Sequence, residues 1–265
     1  MIRRHAHLIA LLAGALLLNS CSFFDRKENK RIEEDPMISA AQLYNEASAA
    51  LKRGNYEEAI QKYETLEGRY PFGGYSEQAK LEAAYAYYKF DEPESAIAAA
   101  DRYIKLHPRG ENVDYALYLK GLANMSRGQG LIYRVVERDP SKRDQESLQN
   151  AFQAFSELIQ RFPQSRYVED SHKRLIELRN MLAERELYVA QYYMKRGAWL
   201  AAANRAQVIV ESYNGAAIMP DALTLLIEAY DKLGMTEQAE ATRRVLEHNF
   251  PDKARQGKSG WFGGN

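Results

Sequence analysis

One thiol occurs in the 265 residues, Cys21, and it directly follows an apolar run in "ALLLNSCSFFD". A lone cysteine excludes an internal disulfide and gives zinc no pair of thiolates, which leaves nucleophilic or covalent-attachment chemistry. The histidines offer no second site: His107, His172 and His248 lie far apart, without the His-x-x-x-His spacing that sets two imidazoles on one helix face. There is no Gly-x-Ser-x-Gly elbow, and "RGQG" has no preceding strand pattern to make it a phosphate cradle. Adjacent acids such as Glu57 and Glu58 are ordinary on a solvated face. Catalysis, a metal and a cofactor are therefore not expected. With 36 basic against 36 acidic residues and no basic stripe, neither is a nucleic-acid partner. The chemistry that remains is recognition by 18 tyrosines, each a flat apolar ring with one hydroxyl, and by lysines able to meet a carboxylate.

The neighbours of Cys21 define its chemistry. Arg3, Arg4, His5 and His7 make a basic start, Leu8 to Leu18 an apolar core, and Asn19 and Ser20 lead up to the cysteine. That is the layout of a secretory signal over residues 1–20, too short to cross hydrocarbon, which takes roughly 20 apolar residues. The ending "LNSC" resembles a bacterial lipobox; Leu18 and Ser20 fit it and Asn19 departs from it. The resemblance implies that Cys21 carries diacylglycerol and an N-acyl chain. Ser22 in place of an aspartate implies sorting to the outer membrane. Each buried CH₂ contributes about 0.8 kcal/mol, and more than one chain makes the hold lasting. Residues 21–36 lack an apolar stripe and read as a flexible tether, about 20 Å across as a coil.

A repeat runs through the rest. A small residue, an apolar residue seven later and a proline twelve later recur as Ala59, Leu66, Pro71; Ala96, Tyr103, Pro108; Ala151, Leu158, Pro163; and Ala239, Leu246, Pro251. A further copy, Ala202 and Ile209, has Asn214 in place of the proline. Each copy follows a second helical pattern ending near a turn residue such as Gly54 or Gly234, so each unit is expected to be a pair of antiparallel helices. Proline lacks the amide donor and clashes with the preceding turn, which ends the second helix. Two stretches exceed the repeat. Residues 126–144 read as a long loop, and Ser165 to Glu186 as part of one long helix joining two halves. Residues 252–265 lack periodicity and read as a flexible tail.

The pattern resembles the tetratricopeptide repeat. Ala59 with Tyr63 and Ala151 with Phe155 fit its Ala-x-x-x-aromatic signature; Ala47, Ala84, Gly121 and Ala190 fill the small position of the first helix, and Ile227 departs from it. The expected fold is all-α, a tetratricopeptide-repeat superhelix of about five hairpins. Repeats 1 to 3 fall in residues 37–164 and repeats 4 and 5 in 165–251, stabilised by each unit covering its neighbour's apolar face. By that resemblance a groove along the first three leading helices would carry Tyr44, Tyr85, Tyr88, Tyr115 and Tyr118, with Lys52 and Lys89 nearby. Such a groove suits a peptide with aromatic residues and a free C-terminus. Other rings, Tyr87 and Tyr193 among them, are expected to pack between helices.

The longer strings "RYPFGGYSEQAKLEAAYAYYK", "VDYALYLKGLANM" and "ELYVAQYYMKRGAWLAAANRAQVIVESY" resemble the BamD family, lipoproteins of the outer-membrane β-barrel assembly machinery. The similarity covers nearly the whole chain after the leader. It implies a periplasm-facing scaffold that holds BamA through its fifth POTRA domain, contacts BamC-like and BamE-like lipoproteins, and receives unfolded β-barrel precursors. Arg205 in "NRAQ" matches a BamA-facing position, with Arg196 and Trp199 in "RGAW" as further candidates. Tyr70 in "RYPFG" matches a position that reads the β-signal, the aromatic-ended last strand of a precursor. The competing expectation is a lipid-anchored adaptor for peptidoglycan enzymes, with the same anchor and fold but a different groove.

Overall fold

The computed structural model describes residues 38–127 and 144–257. Cys21 with its leader and tether, residues 128–143 of the insertion and residues 258–265 lie outside the described residues. Among the described residues the chain is all-α: α1 Ala40–Lys52, α2 Tyr56–Arg69, α3 Gly74–Lys89, α4 Pro93–Leu106, α5 Val113–Ser126, α6 Gln145–Arg161, α7 Val168–Lys195, α8 Trp199–Ser212, α9 Met219–Lys232, α10 Thr236–Asn249 and α11 Pro251–Gly257. Each helix packs on the next, and the first helices of neighbouring hairpins also touch, α1 with α3, α3 with α5 and α7 with α9. This is the stacked-hairpin arrangement of tetratricopeptide repeats.

The repeat residues are the ones that bury. The alanine opening each second-helix pattern is at most 1% exposed: Ala59, Ala96, Ala151, Ala202 and Ala239. Seven residues on, Leu66, Tyr103, Leu158 and Ile209 are fully buried and Leu246 is nearly so. Small side chains at the crossing let two helices approach closely, and the larger residue two turns later fills the widening gap. Where the ring four residues after the alanine is missing, at Ala100, the cluster of Ala84, Ala100 and Leu119 is closed instead by Tyr85 and Tyr115 from the first helices. Ile227 lies partly buried against Leu223 and its neighbours.

The turns repeat as well. Two residues before α2, α4, α8 and α10 the backbone is left-handed, at Gly54 (φ 77°), Asp91 (φ 64°), Gly197 (φ 73°) and Gly234 (φ 71°). Just after it, the N–H groups of Asn55, Glu92, Ala198 and Met235 bond back to the carbonyls of Ala50, Tyr87, Tyr193 and Tyr230 at 2.9–3.0 Å. This closes the first helix as a Schellman turn, for which glycine is the least strained residue. The second helices all end on a ring one residue beyond their last turn: Tyr70, His107, Phe162, Tyr213 and Phe250, each with its N–H bonded to the carbonyl four residues before.

The long helix expected beyond Ser165 is α7, 28 residues. It serves two cores in turn. Leu178, Met181 and Leu182 pack with Met125, Leu148 and Phe155 of the third hairpin, while Ala183, Leu187 and Ala190 pack with α8 and α9. The expectation of a flexible tail from Asp252 is corrected in part, because α11 continues the chain as helix to Gly257. Pro251 suits a first helical turn, where no amide donor is needed, and Ala254 packs against the last core while Lys253 Nζ lies 2.9 Å from Asp221.

Two expected outcomes follow from this packing. A Cβ on Gly121 would stand 2.5–2.8 Å from the Phe155 ring. Gly121→Ala should therefore lower stability by about 1–3 kcal/mol in urea melts, part of which Phe155→Leu should restore in the same chain. The second concerns alkali. The buried Tyr103 ring sends its hydroxyl to Glu77 at 3.1 Å, and burial, then the Glu77 charge, pushes its phenol from 10 up to about 12. The folded chain thus holds that proton more tightly than the unfolded one, so the contribution is complete below pH 10 and lost as pH rises towards 12. The urea midpoint should fall across this window, and by less in Tyr103→Phe.

Candidate functional site

The first helices of the hairpins bring three of the expected rings, Tyr44, Tyr115 and Tyr118, into a row near their N-terminal ends. At one end, Tyr44 of α1 and Tyr75 of α3 lie 5.4 Å apart between centroids. With Gly74 and Gln78 they line an open recess of about 350 Å³. Behind it stands Glu82, which sequence reasoning missed. Its carboxylate accepts from the Tyr44 hydroxyl at 2.7 Å, from Gln78 Nε2 at 3.0 Å and from the Tyr63 hydroxyl. Burial, and then these bonds to Glu82, push the Tyr44 and Tyr63 phenols well above their ordinary value. One carboxylate therefore joins α1, α2 and α3 and orients two of the four residues of the recess.

Further along, Tyr167 at the start of α7 stacks on Tyr118 at 4.6 Å and on Tyr115 at 5.3 Å, both from α5. Tyr118 donates to Asp170 at 2.7 Å, and Arg174 Nε donates to the same oxygen at 2.5 Å. Burial works to raise the Asp170 carboxyl, but those two donors outweigh it and hold it below its usual value. Arg166 stands over the outer ring, 4.9 Å from the Tyr167 centroid. Tyr85 is half-buried and packs with Tyr115 against the cluster of Ala84, Ala100 and Leu119. Tyr167 and Asp170 belong to the long-helix stretch, so no repeat register pointed to them.

The lysines do not join this row. Lys52 and Lys89 are exposed on the last turns of α1 and α3. Lys52 lies eight residues past Tyr44, about 12 Å of helix rise, and Lys89 eleven past Gln78, about 16 Å. Tyr88 is half-buried at that same far end. The expected cluster of rings and lysines is therefore two separate zones. Tyr87 bonds Glu64 through its hydroxyl, and Tyr193 packs on the C-terminal core, as expected for rings between helices.

Tyr70 occupies the ring position that closes every second helix, and it is 36% exposed. Next to it Phe72 is 90% exposed, and Tyr75 is 48% exposed. This loop turns at Gly73, whose φ of 100° excludes most side-chain-bearing residues. Phe72 was within the string "RYPFG" but had no partner in the repeat pattern to mark it.

In the C-terminal half, Arg205 of α8 donates through Nη1 to Glu186 of α7 at 3.0 Å. Glu186 is 2% exposed, and Arg185 Nη1 approaches its other oxygen at 3.5 Å. The carboxylate partner suggested by an arginine here is thus first of all one of the chain's own, while 44% of the Arg205 side chain stays open. Arg196 lies over the Tyr192 ring at 5.1 Å and Lys232 over Trp199 at 5.9 Å. Exposed Tyr188, Tyr192 and Leu200 widen this apolar corner, and none was singled out from sequence. Among the described residues no three metal-ligating side chains come together, and no helix is long and apolar enough to cross a membrane.

The chain is similar to known proteins over most of its length. Residues 36–245 match the family model described as outer membrane lipoprotein, YfiO. The outer membrane protein assembly factor BamD of Neisseria meningitidis serogroup A is 46% identical over 224 residues, covering 83% of this chain and 84% of that protein. The factor of the same name from Vibrio cholerae is 39% identical, covering 81% and 89%. Among solved structures, the TPR2AB domain of yeast Sti1 in its pHSP90 complex matches at 15% identity and a TM-score of 0.44, covering 83% of this chain and 81% of its own. Both sequence relatives are named as assembly factors, not enzymes. The chain belongs to the BamD family of outer membrane protein assembly factors.

Proposed function

We propose that the chain is a lipid-anchored scaffold on the periplasmic face of the outer membrane, one half of which holds unfolded β-barrel precursors while the other holds BamA. The observation that carries the precursor half is the ring row running from Tyr44 and Tyr75 through Tyr115 to Tyr167, with an open recess at one end. The hydroxyls of Tyr44 and Tyr118 are already donated to Glu82 and Asp170. A bound segment is therefore gripped by ring faces, and its polar groups turn elsewhere. Such a surface suits the alternating aromatic side chains of an extended terminal strand. Tyr70 and its loop extend the same surface.

The BamA half rests on Arg205, Arg196 and Trp199. Glu186 holds one edge of the Arg205 guanidinium in place, which pre-orients the open part of the fork for a carboxylate of the fifth POTRA domain. Acyl chains on Cys21 supply the anchor, and BamC-like and BamE-like lipoproteins are the further partners of this reading.

Two measurements test it. In pull-downs of BamA with the anchored protein, Arg205→Glu and Arg196→Glu should each weaken capture, Arg205→Glu by about thirtyfold or more at unchanged helical content. Undiminished capture by both would remove the BamA assignment. In fluorescence anisotropy, a labelled peptide of alternating apolar residues ending in phenylalanine should bind about tenfold more weakly to a Tyr70→Ala, Tyr75→Ala double variant.

A further inference from the structure

Lys80 of α3 is a buried cation, 8% exposed, on a helix segment whose neighbours Ala79, Leu81, Ala83 and Ala84 are core. Taking an ammonium out of water is costly unless its donors are met, and an apolar side chain would fill the same place without that cost. What lysine adds here is three donors. Nζ lies 2.5 Å from the Ser76 hydroxyl, 3.4 Å from the Ser76 carbonyl and 3.4 Å from the Pro71 carbonyl. Ser76 is itself 1% exposed. On the other side stands Glu67 of α2, whose carboxyl is pushed up by burial and pulled back by Lys80 and Arg102. One side chain thus ties the loop between the helices to the first turn of α3.

That loop is the one that carries Tyr70 and the outward-pointing Phe72 and turns at Gly73. Its ends are fixed by the Tyr70 N–H on the Leu66 carbonyl and the Glu77 N–H on the Gly73 carbonyl, and between them Lys80 reaches the Pro71 carbonyl, next to the exposed Phe72 ring. We propose that Lys80 is a positioning residue for precursor recognition: it holds the α2–α3 loop in the one shape that presents Phe72, with Tyr70, to the ring-bearing end of an extended precursor segment. Pre-ordering the loop removes the cost of fixing it at binding. The proposal rests on the precursor reading above, and it adds both Phe72 as a contact and Lys80 as its support.

The test uses the full chain and the same phenylalanine-ended peptide, with Lys80→Met, Lys80→Arg, Ser76→Ala and Phe72→Ala. Lys80→Met should weaken peptide binding about three- to tenfold, the size one hydrogen bond carries, and speed amide exchange in residues 72–76 while α5 and α6 stay protected. Ser76→Ala, which keeps the amine but removes its shortest contact, should move both readouts the same way, and Lys80→Arg should recover part of each. A chain that loses affinity through Phe72→Ala but keeps it in Lys80→Met and Ser76→Ala overturns the positioning role. Native affinity in Phe72→Ala as well as in the Tyr70→Ala, Tyr75→Ala variant overturns the loop as a precursor contact, and the positioning role with it.

Discussion

A hairpin of two helices some 14 residues long cannot bury both of its apolar faces by itself, so each must be covered by the next. The rest of the molecule depends on how closely successive helices can approach. A fully buried alanine at each crossing, Ala59, Ala151, Ala202 and Ala239, sets that distance, and Gly121 lies so close beneath the Phe155 ring that no Cβ fits there. Once the stack is formed, the exposed sides of the first helices come into line. Rings separated by dozens of residues in the chain become neighbours there.

Carboxylates then fix the rings. Glu82 and Asp170 each stand between helices of different hairpins and accept from tyrosine, glutamine or arginine, while Glu186 accepts from Arg205 within one hairpin. Hydrogen bonds to a carboxylate are stronger than neutral ones, and those of Glu82 and Asp170 restrict the rings without filling the space in front of them. The same economy has a consequence in the C-terminal half. Glu186 is almost wholly buried and is held by Arg205 and Arg185, so any change at Arg205 acts on a buried charge as well as on the surface. The tyrosine face and the arginine corner are both held by hydrogen bonds and ring contacts within the chain, which suits the scaffold role proposed above.

Much of this was legible in the amino-acid order. The repeat of alanine, apolar residue and proline located four hairpins and, without its proline, the one at Ala202, because helix crossing demands a small residue and proline ends a helix. Gly54 and Gly234 marked turns that are left-handed, and the unbroken pattern after Ser165 marked α7. The strings "RYPFG" and "YYMKRGAW" carried the family. The candidate site was legible only as residue types: Tyr44, Tyr115 and Tyr118 do line up, whereas Lys52 and Lys89 sit at the opposite helix ends. The tail was misread up to Gly257, since its few apolar contacts come from residues distant in the chain.

Local periodicity and turn chemistry act over a few residues, so the chain by itself determined the ten helices of the five hairpins and their pairing, but not the short helix that follows Pro251. Which carboxylate meets which hydroxyl, which ring stays open and which lysine is buried are decided across helices: Glu82 lies 38 residues from Tyr44, and Asp170 lies 52 from Tyr118. Those relations have no period in the sequence. They arise from the crossing distance and register of neighbouring hairpins, which only the packed structure supplies.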